Sequence, residues 1–233
     1  MENSIKKIPK CIGIIMDGNR RWAKEQGLTS LEGHKKGYEK MRQVIKWVKE
    51  AGIDEVIFFA LSTENWNRAE EEIAYLLNLF RHALSNEFDS LKRNEVKVKI
   101  IGDRTRFPKD IEEMMSKVEA DTANFKTTVV LAMSYGGRDE ILNAVRKIAQ
   151  EKTNEEILGM TEQDFSNYLY TEGISDPDMI IRPGGEKRLS GFLTWQSVYS
   201  ELFFLDTYWP AFSKEEFLNI LEEFSIRQRR HGK

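Results

Sequence analysis

Three short segments of this chain concentrate side chains that bind phosphate groups. They are residues 17–22, 62–68 and 182–190, and each combines arginine with glycine, amide or hydroxyl groups. Guanidinium groups donate paired hydrogen bonds to phosphate oxygens, and each charge-assisted hydrogen bond contributes roughly 1.5–3 kcal/mol. The backbone N–H groups of the Gly184-Gly185 turn are expected to donate to a diphosphate as well. Several such bonds to one ligand would give about 8 kcal/mol, which corresponds to micromolar affinity. Together the three segments predict a diphosphate-binding site.

Asp17 is an acid among these cations, and a carboxylate has the wrong charge to bind phosphate directly. Mg²⁺ prefers one or two carboxylates together with substrate oxygens, so Asp17 is predicted to be a metal ligand. The alternative is a carboxylate that pairs with a neighbouring arginine. Glu201 is the second candidate metal ligand, and the alternative there is an ordinary surface carboxylate.

Each segment also has a plainer interpretation. Residues 17–22 fit a capped turn with solvated arginines, residues 62–68 fit an ordinary strand-to-helix loop, and residues 182–190 fit a glycine-rich surface loop. Three segments with the same chemistry are harder to explain in this way than one.

The spacing of apolar residues predicts strands that alternate with helices. The predicted strands are 11–16, 55–61, 96–101, 127–133, 179–181 and 201–205. The predicted helices are 33–51, 70–91, 110–123, 137–150 and 161–170, with a last helix from Ser213. This order predicts an α/β fold, a single domain over residues 1–233 with a mostly parallel six-stranded central sheet flanked by helices. Residues 1–10 form a polar N-terminal extension.

All three phosphate-binding segments follow predicted strands. In sheets of this kind, ligands bind beyond the carboxyl ends of the strands. We therefore expect the three segments to meet at one edge of the sheet.

The composition excludes several other classes of protein. The 233 residues carry 35 basic and 38 acidic side chains, a net charge of -3, which disfavours a nucleic-acid-binding protein. The single cysteine, Cys11, excludes an intramolecular disulfide and a cysteine-cluster zinc site. The N-terminus lacks the apolar region of a signal peptide, and no apolar run reaches the roughly 18 residues of a membrane span. We expect a protein of the reducing cytoplasm.

Several motifs, in the same order along the chain, resemble those of the cis-prenyltransferases. They are residues 17–23, Gly33-His34, residues 62–68, Ile101-Gly102-Asp103, residues 134–138, residues 182–190, Trp195-Gln196 and Glu201. The similarity extends from about Ile12 to Gly232 and is strongest to the bacterial undecaprenyl diphosphate synthases.

The resemblance implies condensation of isopentenyl diphosphate with an allylic diphosphate, farnesyl diphosphate above all. Each new double bond would be cis, and the product would be a medium-chain polyprenyl diphosphate that supplies a cell-wall lipid carrier. The resemblance also implies Mg²⁺ as cofactor, a homodimer, and peripheral membrane contact during product release. The chemistry is consistent with this, because breaking the allylic C–O bond requires the charge of the leaving diphosphate to be neutralised.

The same resemblance assigns roles to individual residues. Asp17 would bind Mg²⁺ and assist departure of the allylic diphosphate, Asn65 would position the homoallylic unit, and Glu201 would be a metal ligand across the dimer. The substrate-binding residues would be Gly18, Asn19, Arg20, Arg21, Trp22, His34, Ser62, Thr63, Glu64, Trp66, Arg68, Arg182, Arg188 and Ser190. Asn65 and Arg68 would lie on a mobile loop that closes over the substrates. Arg230-His231-Gly232 would complete the site of a partner subunit.

The growing hydrocarbon chain needs an apolar tunnel. Its expected walls are the strand 55–61 and the helix that follows, and Thr127 is expected near its floor. The expected wall residues are Val56, Phe58, Ala60, Leu61, Leu76, Leu77, Phe80 and Leu84. The alternative is that these residues are ordinary core.

Two departures from the family pattern and three alternative functions stay open. Ser30 stands where many bacterial members carry an arginine, and Arg20 stands where many carry glycine, so we expect Arg20 to compensate. Two alternatives keep the fold: a non-catalytic partner subunit, and an enzyme that couples prenyl units irregularly or makes short chains. A phosphatase or nucleotide-binding module is the third, but G-x-x-x-x-G-K-[ST] and G-x-G-x-x-G are both missing.

Overall fold

Strands and helices alternate along the chain in the predicted order. The computed structural model describes residues 7–86 and 92–227. The strands are β1 (Cys11–Ile15), β2 (Glu55–Ser62), β3 (Val96–Ile101), β4 (Thr127–Tyr135), β5 (Met179–Arg182) and β6 (Glu201–Phe204). The helices are α1 (Asn19–Glu25), α2 (Ser30–Glu50), α3 (Glu70–Asn86), α4 (Lys109–Thr122), α5 (Gly137–Glu151), α6 (Asn154–Leu158), α7 (Glu162–Ser166) and α8 (Lys214–Ile226). A 3₁₀ turn over Thr63–Asn67 follows β2.

The six strands form one parallel sheet in the order β3-β4-β2-β1-β5-β6. The predicted fold class is therefore confirmed. From β1 the chain first adds β2 on one side of the sheet and later adds β5 and β6 on the other side. Such a reversal opens a crevice between the connections at the carboxyl ends of the two strands involved, which are β1 and β5.

Apolar side chains pack on both faces of the sheet. Ile12 and Ile14 of β1 point into one layer, which contains apolar residues of α2 and α8. Cys11 and Ile15 of the same strand point into the opposite layer, with Phe192. Successive side chains of a strand face opposite sides, so this burial on both faces is what a central parallel strand requires.

Side-chain caps fix several helix starts. Predicted capping boxes at Thr161 and Ser213 are both present, and two more are formed by Thr29 at the start of α2 and Thr153 at the start of α6. The predicted helix over 161–170 is too long, because after Ser166 the chain continues in tight turns such as the Leu169 N–H to Ser166 carbonyl bond.

Parts of three predictions lie outside the described residues. They are the first six residues of the polar extension, the last five of the predicted helix over 70–91, and Arg230-His231-Gly232. Within the described chain, no helix has the length and apolar character needed to cross a membrane.

Candidate active site

Asp17 and Arg182 meet at the crevice between β1 and β5. Arg182 Nη2 lies 2.8 Å from Asp17 Oδ2, Arg21 Nη2 lies 3.1 Å from Oδ1, and the Gly18 N–H donates to Oδ1 at 2.6 Å. Partial burial alone would raise the pKa of Asp17. The hydrogen bond and charge of Arg182, with the charge of Arg21, outweigh this and hold that pKa below its usual value. Asp17 is thus an ionised carboxylate held between two guanidinium groups.

Gly18 lets α1 start directly after β1. Its φ is 97°, in the left-handed region, and a Cβ atom there would lie 2.6 Å from Tyr208 Cδ1. Both the backbone conformation and the close ring exclude a larger residue. No side chain caps α1, so its first N–H groups add positive potential beside Arg20 and Arg21.

Arg182 is buried, with 4% of its surface exposed. Its Nη1 donates to the Ser190 hydroxyl at 3.0 Å and to the Arg188 carbonyl oxygen, while its Nε has no hydrogen-bond partner among the described residues. Arg188 itself pairs with Glu186. The loop that contains Arg188 is thereby fixed onto the end of β5.

The glycine pair in this loop does not act as the sequence suggested. The Gly184 N–H donates to the Thr207 carbonyl at 2.9 Å, and the Gly185 N–H donates to the Leu205 carbonyl at 2.8 Å. These two N–H groups are therefore already used inside the protein, and an anion at this loop depends on Arg182, Arg188 and the serine hydroxyl.

Glu72 of α3 joins three of the predicted substrate-binding residues. Its Oε1 lies 3.0 Å from His34 Nε2 and 2.9 Å from Arg68 Nη1, and its Oε2 lies 3.8 Å from Arg20 Nη1. Burial is the main cause that lowers the pKa of His34, against the opposing hydrogen bond from Glu72. We therefore expect His34 to be a neutral hydrogen-bond donor near neutral pH.

The turn after β2 presents most of its polar side chains to one cavity. Ser62, Thr63, Glu64, Asn65 and Arg68 all line it. The Ser62 N–H donates to Asn65 Oδ1 at 3.1 Å, which fixes the amide within the turn.

Two polar cavities share Asp17. One, of about 750 Å³, is lined by Gly18, Asn19, Arg20, Arg21, Lys24, Leu28, Thr29, Ser30, Met16, His34 and Arg68 besides Asp17. The other, of about 870 Å³, contains the turn after β2 together with Arg138, Arg182, Arg188 and Ser190. Asp17, Asn19, His34 and Arg68 line both cavities. The site thus offers two adjoining places for anionic groups with one carboxylate between them.

An apolar cavity of about 110 Å³ opens at the same point, because Met16, Asn19 and His34 line it as well. It extends between α2, α3 and the sheet, and a second apolar space of about 90 Å³ shares Tyr38, Met41, Ala83 and Leu131 with it. The predicted wall residues Ala60, Leu61, Leu76, Leu77, Phe80 and Leu84 line one or the other.

Part of the predicted tunnel wall is wrong. Val56 and Phe58 are fully buried in the core layer, and Thr127 lines neither apolar space. The missing wall is α2, through Tyr38 and Met41. Successive side chains of a strand point to opposite faces of the sheet, and the sequence alone does not tell which face borders the cavity.

Three predicted site residues lie outside the two polar cavities of the single chain. Trp22 and Trp66 do not line either polar cavity of the described structure. Glu201 pairs in register with Met179, the first residue of β5, so it lies at the end of the sheet opposite Asp17. Its Oε2 lies 2.8 Å from Arg227 Nη1. Its metal role therefore requires the partner subunit and stays a prediction.

Two residues of the site were missed from the sequence. Arg138 follows β4, and the rule about strand ends that selected the other arginines would have selected it too. Glu72 had no such signal, because it is one of three consecutive acids in the first turn of α3. Such acids are ordinary at a helix start, and helix phase decides which one faces the site.

Comparisons with known proteins show which family this chain resembles. The family model described as "Putative undecaprenyl diphosphate synthase" matches residues 15–232. An isoprenyl transferase from Thermotoga maritima is 43% identical over 227 residues, which are 97% of this chain and 97% of that one. A tritrans,polycis-undecaprenyl-diphosphate synthase (geranylgeranyl-diphosphate specific) from Picrophilus torridus is 43% identical over 236 residues, with 98% and 92% covered.

A solved structure has the same fold over nearly the whole length. The lavandulyl diphosphate synthase from Lavandula x intermedia, in complex with dimethylallyl diphosphate, superposes with a TM-score of 0.91 at 31% identity. The alignment covers 98% of this chain and 99% of that one. With a family match over nearly all of its length and the sheet architecture that goes with it, this chain belongs to the undecaprenyl diphosphate synthase family of cis-prenyltransferases.

Proposed function

We propose that this chain condenses isopentenyl diphosphate with an allylic diphosphate, adding cis units to make a medium-chain polyprenyl diphosphate. The observation that supports this most directly is that three spaces meet at Met16, Asn19 and His34, beside Asp17. Two are polar and lined by arginines, and the third is apolar. Two diphosphate substrates, one with a hydrocarbon tail to store, need that combination.

The allylic diphosphate would occupy the cavity at α1. There Gly18, Arg20 and Arg21 face its phosphates, and its tail would enter the apolar cavity past Asn19 and His34. The isopentenyl diphosphate would occupy the other polar cavity, where Arg182, Arg188 and Ser190 bind its phosphates. Asn65, on the wall of that cavity, would position the carbon that loses its proton.

The donor set fits Mg²⁺. The described residues contain no cluster of three or more His, Cys, Asp or Glu side chains, so any metal here would have to rely on substrate oxygens. Asp17 is ionised and lines both polar cavities, and one carboxylate plus phosphate oxygens is a common Mg²⁺ environment. When bound, Mg²⁺ would supply part of the charge that stabilises the departing diphosphate. The arginines would supply the rest.

The primer we propose is farnesyl diphosphate. Geranylgeranyl diphosphate is the substrate to compare with it, because the Picrophilus torridus relative is named for that substrate.

Arg20 and Ser30 line the same polar cavity. If Arg20 compensates for the missing arginine at position 30, Arg20→Gly raises the KM for the allylic substrate, and Arg20→Gly/Ser30→Arg restores it. An unchanged KM in Arg20→Gly would refute the compensation.

Apolar residues near the edge strand β6 support a homodimer. Val198, Tyr199 and Leu202 are 72%, 62% and 37% exposed in the single chain. Contiguous exposed apolar side chains at a sheet edge mark an interface, and Glu201 lies among them. Light scattering of the purified protein tests this: the chain should have the mass of two subunits, and Tyr199→Asp should reduce it to one.

Peripheral membrane contact would follow from the product. Each buried CH₂ contributes roughly 0.8 kcal/mol, so every five-carbon unit would add about 3–4 kcal/mol to retention of the product. Release would then limit turnover unless a membrane or detergent takes up the chain. Added lipid vesicles should raise the steady-state rate and leave the first turnover unchanged.

The deciding experiment is incorporation of labelled isopentenyl diphosphate. Purified protein, Mg²⁺ and farnesyl diphosphate should give a polyprenyl diphosphate, sized by chromatography and shown to be cis by NMR. Omission of Mg²⁺ or addition of EDTA should abolish it. No incorporation with dimethylallyl, geranyl, farnesyl or geranylgeranyl diphosphate would refute the proposal and favour a non-catalytic subunit.

A second candidate is irregular coupling of prenyl units, and the specific observation behind it is the structural match to lavandulyl diphosphate synthase. Incubation with dimethylallyl diphosphate alone separates the two functions. Coupling of this substrate to itself would favour the second candidate, whereas a requirement for isopentenyl diphosphate favours chain elongation.

A further inference from the structure

The end of strand β4 contains a bulge at Ser134. Leu61 of β2 pairs with Met133 and Ser62 pairs with Tyr135, so β4 has one more residue than β2 between these pairs. Ser134 is that extra residue; it is fully buried and has a φ of 50°. The left-handed region is unfavourable for residues other than glycine, so the surrounding structure must hold Ser134 there.

The turn that follows the neighbouring strand β3 holds the bulge from outside. The Asp103 N–H donates to the Ser134 carbonyl at 3.1 Å. Gly102 packs so closely that a Cβ atom would lie 2.0 Å from the Met133 carbonyl oxygen. Bulges beside functional sites turn a side chain in a direction that a regular strand does not allow. Here the side chain that is turned is the Ser134 hydroxyl.

The Ser134 hydroxyl accepts a hydrogen bond from Trp66. The distance from Trp66 Nε1 to Ser134 Oγ is 3.0 Å, and the indole also packs edge-on against Phe107 at 5.4 Å between ring centres. Trp66 belongs to the turn that presents Asn65 and Arg68 to the polar cavity, yet it does not line that cavity. Its side chain points into the protein and fastens the turn to the sheet.

A second contact fixes the same turn nearby. Gly136 follows the bulge by two residues, and a Cβ atom there would lie 2.6 Å from Thr63 Oγ1. The end of β4 thus contacts the turn at both of its ends, through Thr63 and through Trp66.

We propose that Ser134 is a positioning residue: its bulged, left-handed conformation fixes Trp66, and Trp66 sets the position of Asn65 and Arg68 at the cavity. This rests on the proposed function, since Asn65 is given its role there. Ser134 lines neither polar cavity, so its loss should lower kcat only through the displacement of Asn65 and Arg68.

Three variants at this position separate the hydrogen bond from the backbone. Ser134→Gly relieves the φ and removes the acceptor, and Ser134→Ala removes the acceptor and keeps the side-chain restraint. Ser134→Asn keeps an acceptor, and Asn tolerates the left-handed region better than other residues with a side chain. We expect kcat to fall between about 10- and 100-fold in the first two, the scale of a small misplacement of reacting groups, and to recover in the third.

Trp66→Phe tests the same bond from its donor side and covers the case in which a Ser134 variant does not fold. It should lower kcat as Ser134→Gly does, and the double variant should be no worse than either single one. Ser166→Ala is a matched control. Trp195 Nε1 donates to Ser166 Oγ at the same 3.0 Å, and neither residue lines the polar cavities. Its kcat should equal that of the parent.

Amide hydrogen exchange of the ligand-free protein over residues 62–68 gives a readout independent of catalysis. Exchange there should be faster in Ser134→Gly and Trp66→Phe than in the parent and in Ser166→Ala. Parental kcat and exchange in Ser134→Gly would overturn the proposal, as would a loss of kcat without any change in exchange at residues 62–68. If the parent incorporates no isopentenyl diphosphate, the proposed function fails, and the exchange data still decide whether Ser134 fastens the turn.

Discussion

Asp17→Asn removes one charge from the centre of the site and should affect diphosphate and Mg²⁺ in opposite ways. In the ligand-free chain, Asp17 forms ion pairs with the guanidinium groups of Arg182 and Arg21. Its charge also repels a diphosphate in either polar cavity. The amide has nearly the same shape without the charge, so the variant frees both arginines for an anion.

The size of the effect follows from the spacing. Two unit charges about 5 Å apart at an effective dielectric of about 20 interact by about 3 kcal/mol. The cavities are open and the Asp17 side chain is 28% exposed, which lowers the interaction to about 1–2 kcal/mol. Without metal, the variant should therefore bind pyrophosphate roughly 5–30 times more tightly than the parent. With Mg²⁺ this order should reverse, and turnover should fall at least about 100-fold.

Calorimetric titration of pyrophosphate, in EDTA and in Mg²⁺, measures both effects. Asp110→Asn is the matched control, because Asp110 forms an ion pair with Arg81 on α3, away from the cavities. It should alter neither titration. Near-normal turnover in Asp17→Asn would refute the metal role, and weaker metal-free binding would show that Asp17 orders the arginines more than it repels the anion.

Three further changes test other parts of the site. Glu72→Gln leaves His34 and two arginines without their shared anion and should lower kcat/KM about tenfold, whereas Glu71→Gln, at an exposed neighbour, should not. Ala83→Phe fills the junction of the two apolar spaces and should shorten the product seen by chromatography, whereas Ala74→Phe, exposed on the same helix, should leave its length unchanged. Burial raises the pKa of Glu140 in the folded state, so the stability that its proton gives is present in acid and lost as pH rises through that pKa. Urea unfolding should then show that Glu140→Gln becomes more stable relative to the parent as pH rises above about 4, the usual pKa of a glutamate, and a pH-independent difference would contradict this.

Much of the fold was predictable because its signals are local. Short apolar runs, alternating with segments in which apolar residues have helical spacing, predicted all six strands and their order along the chain. A Thr or Ser followed three residues later by an acidic residue marked helix starts. The edge on which the site lies followed from the parallel arrangement alone. These features depend on a few neighbouring residues, so one sequence contains enough information to predict them.

The parts that were wrong or missed depend on contacts between distant segments. The tunnel needed α2 as a wall, and no local pattern tells which helix covers which half of a sheet face. The sequence predicts free N–H groups at Gly184 and Gly185, but carbonyl groups of the segment after β6 accept their hydrogen bonds. Glu72 became part of the site through the orientation of α3, which is set by packing.

Backbone conformation at the serines of the site was equally hidden. Ser134 and Ser190 have φ values of 50° and 52°, in the left-handed region that is typical of glycine or asparagine. Each of these serines directs its hydroxyl at a residue that the proposed reaction needs held in place: Ser134 accepts from Trp66, and Ser190 accepts from Arg182. A strained backbone costs stability, so it persists where the surrounding contacts enforce it. Ser134 lies at the bulge near the end of β4 and Ser190 in the loop after β5, and at both positions the left-handed backbone directs the hydroxyl where a regular strand would not.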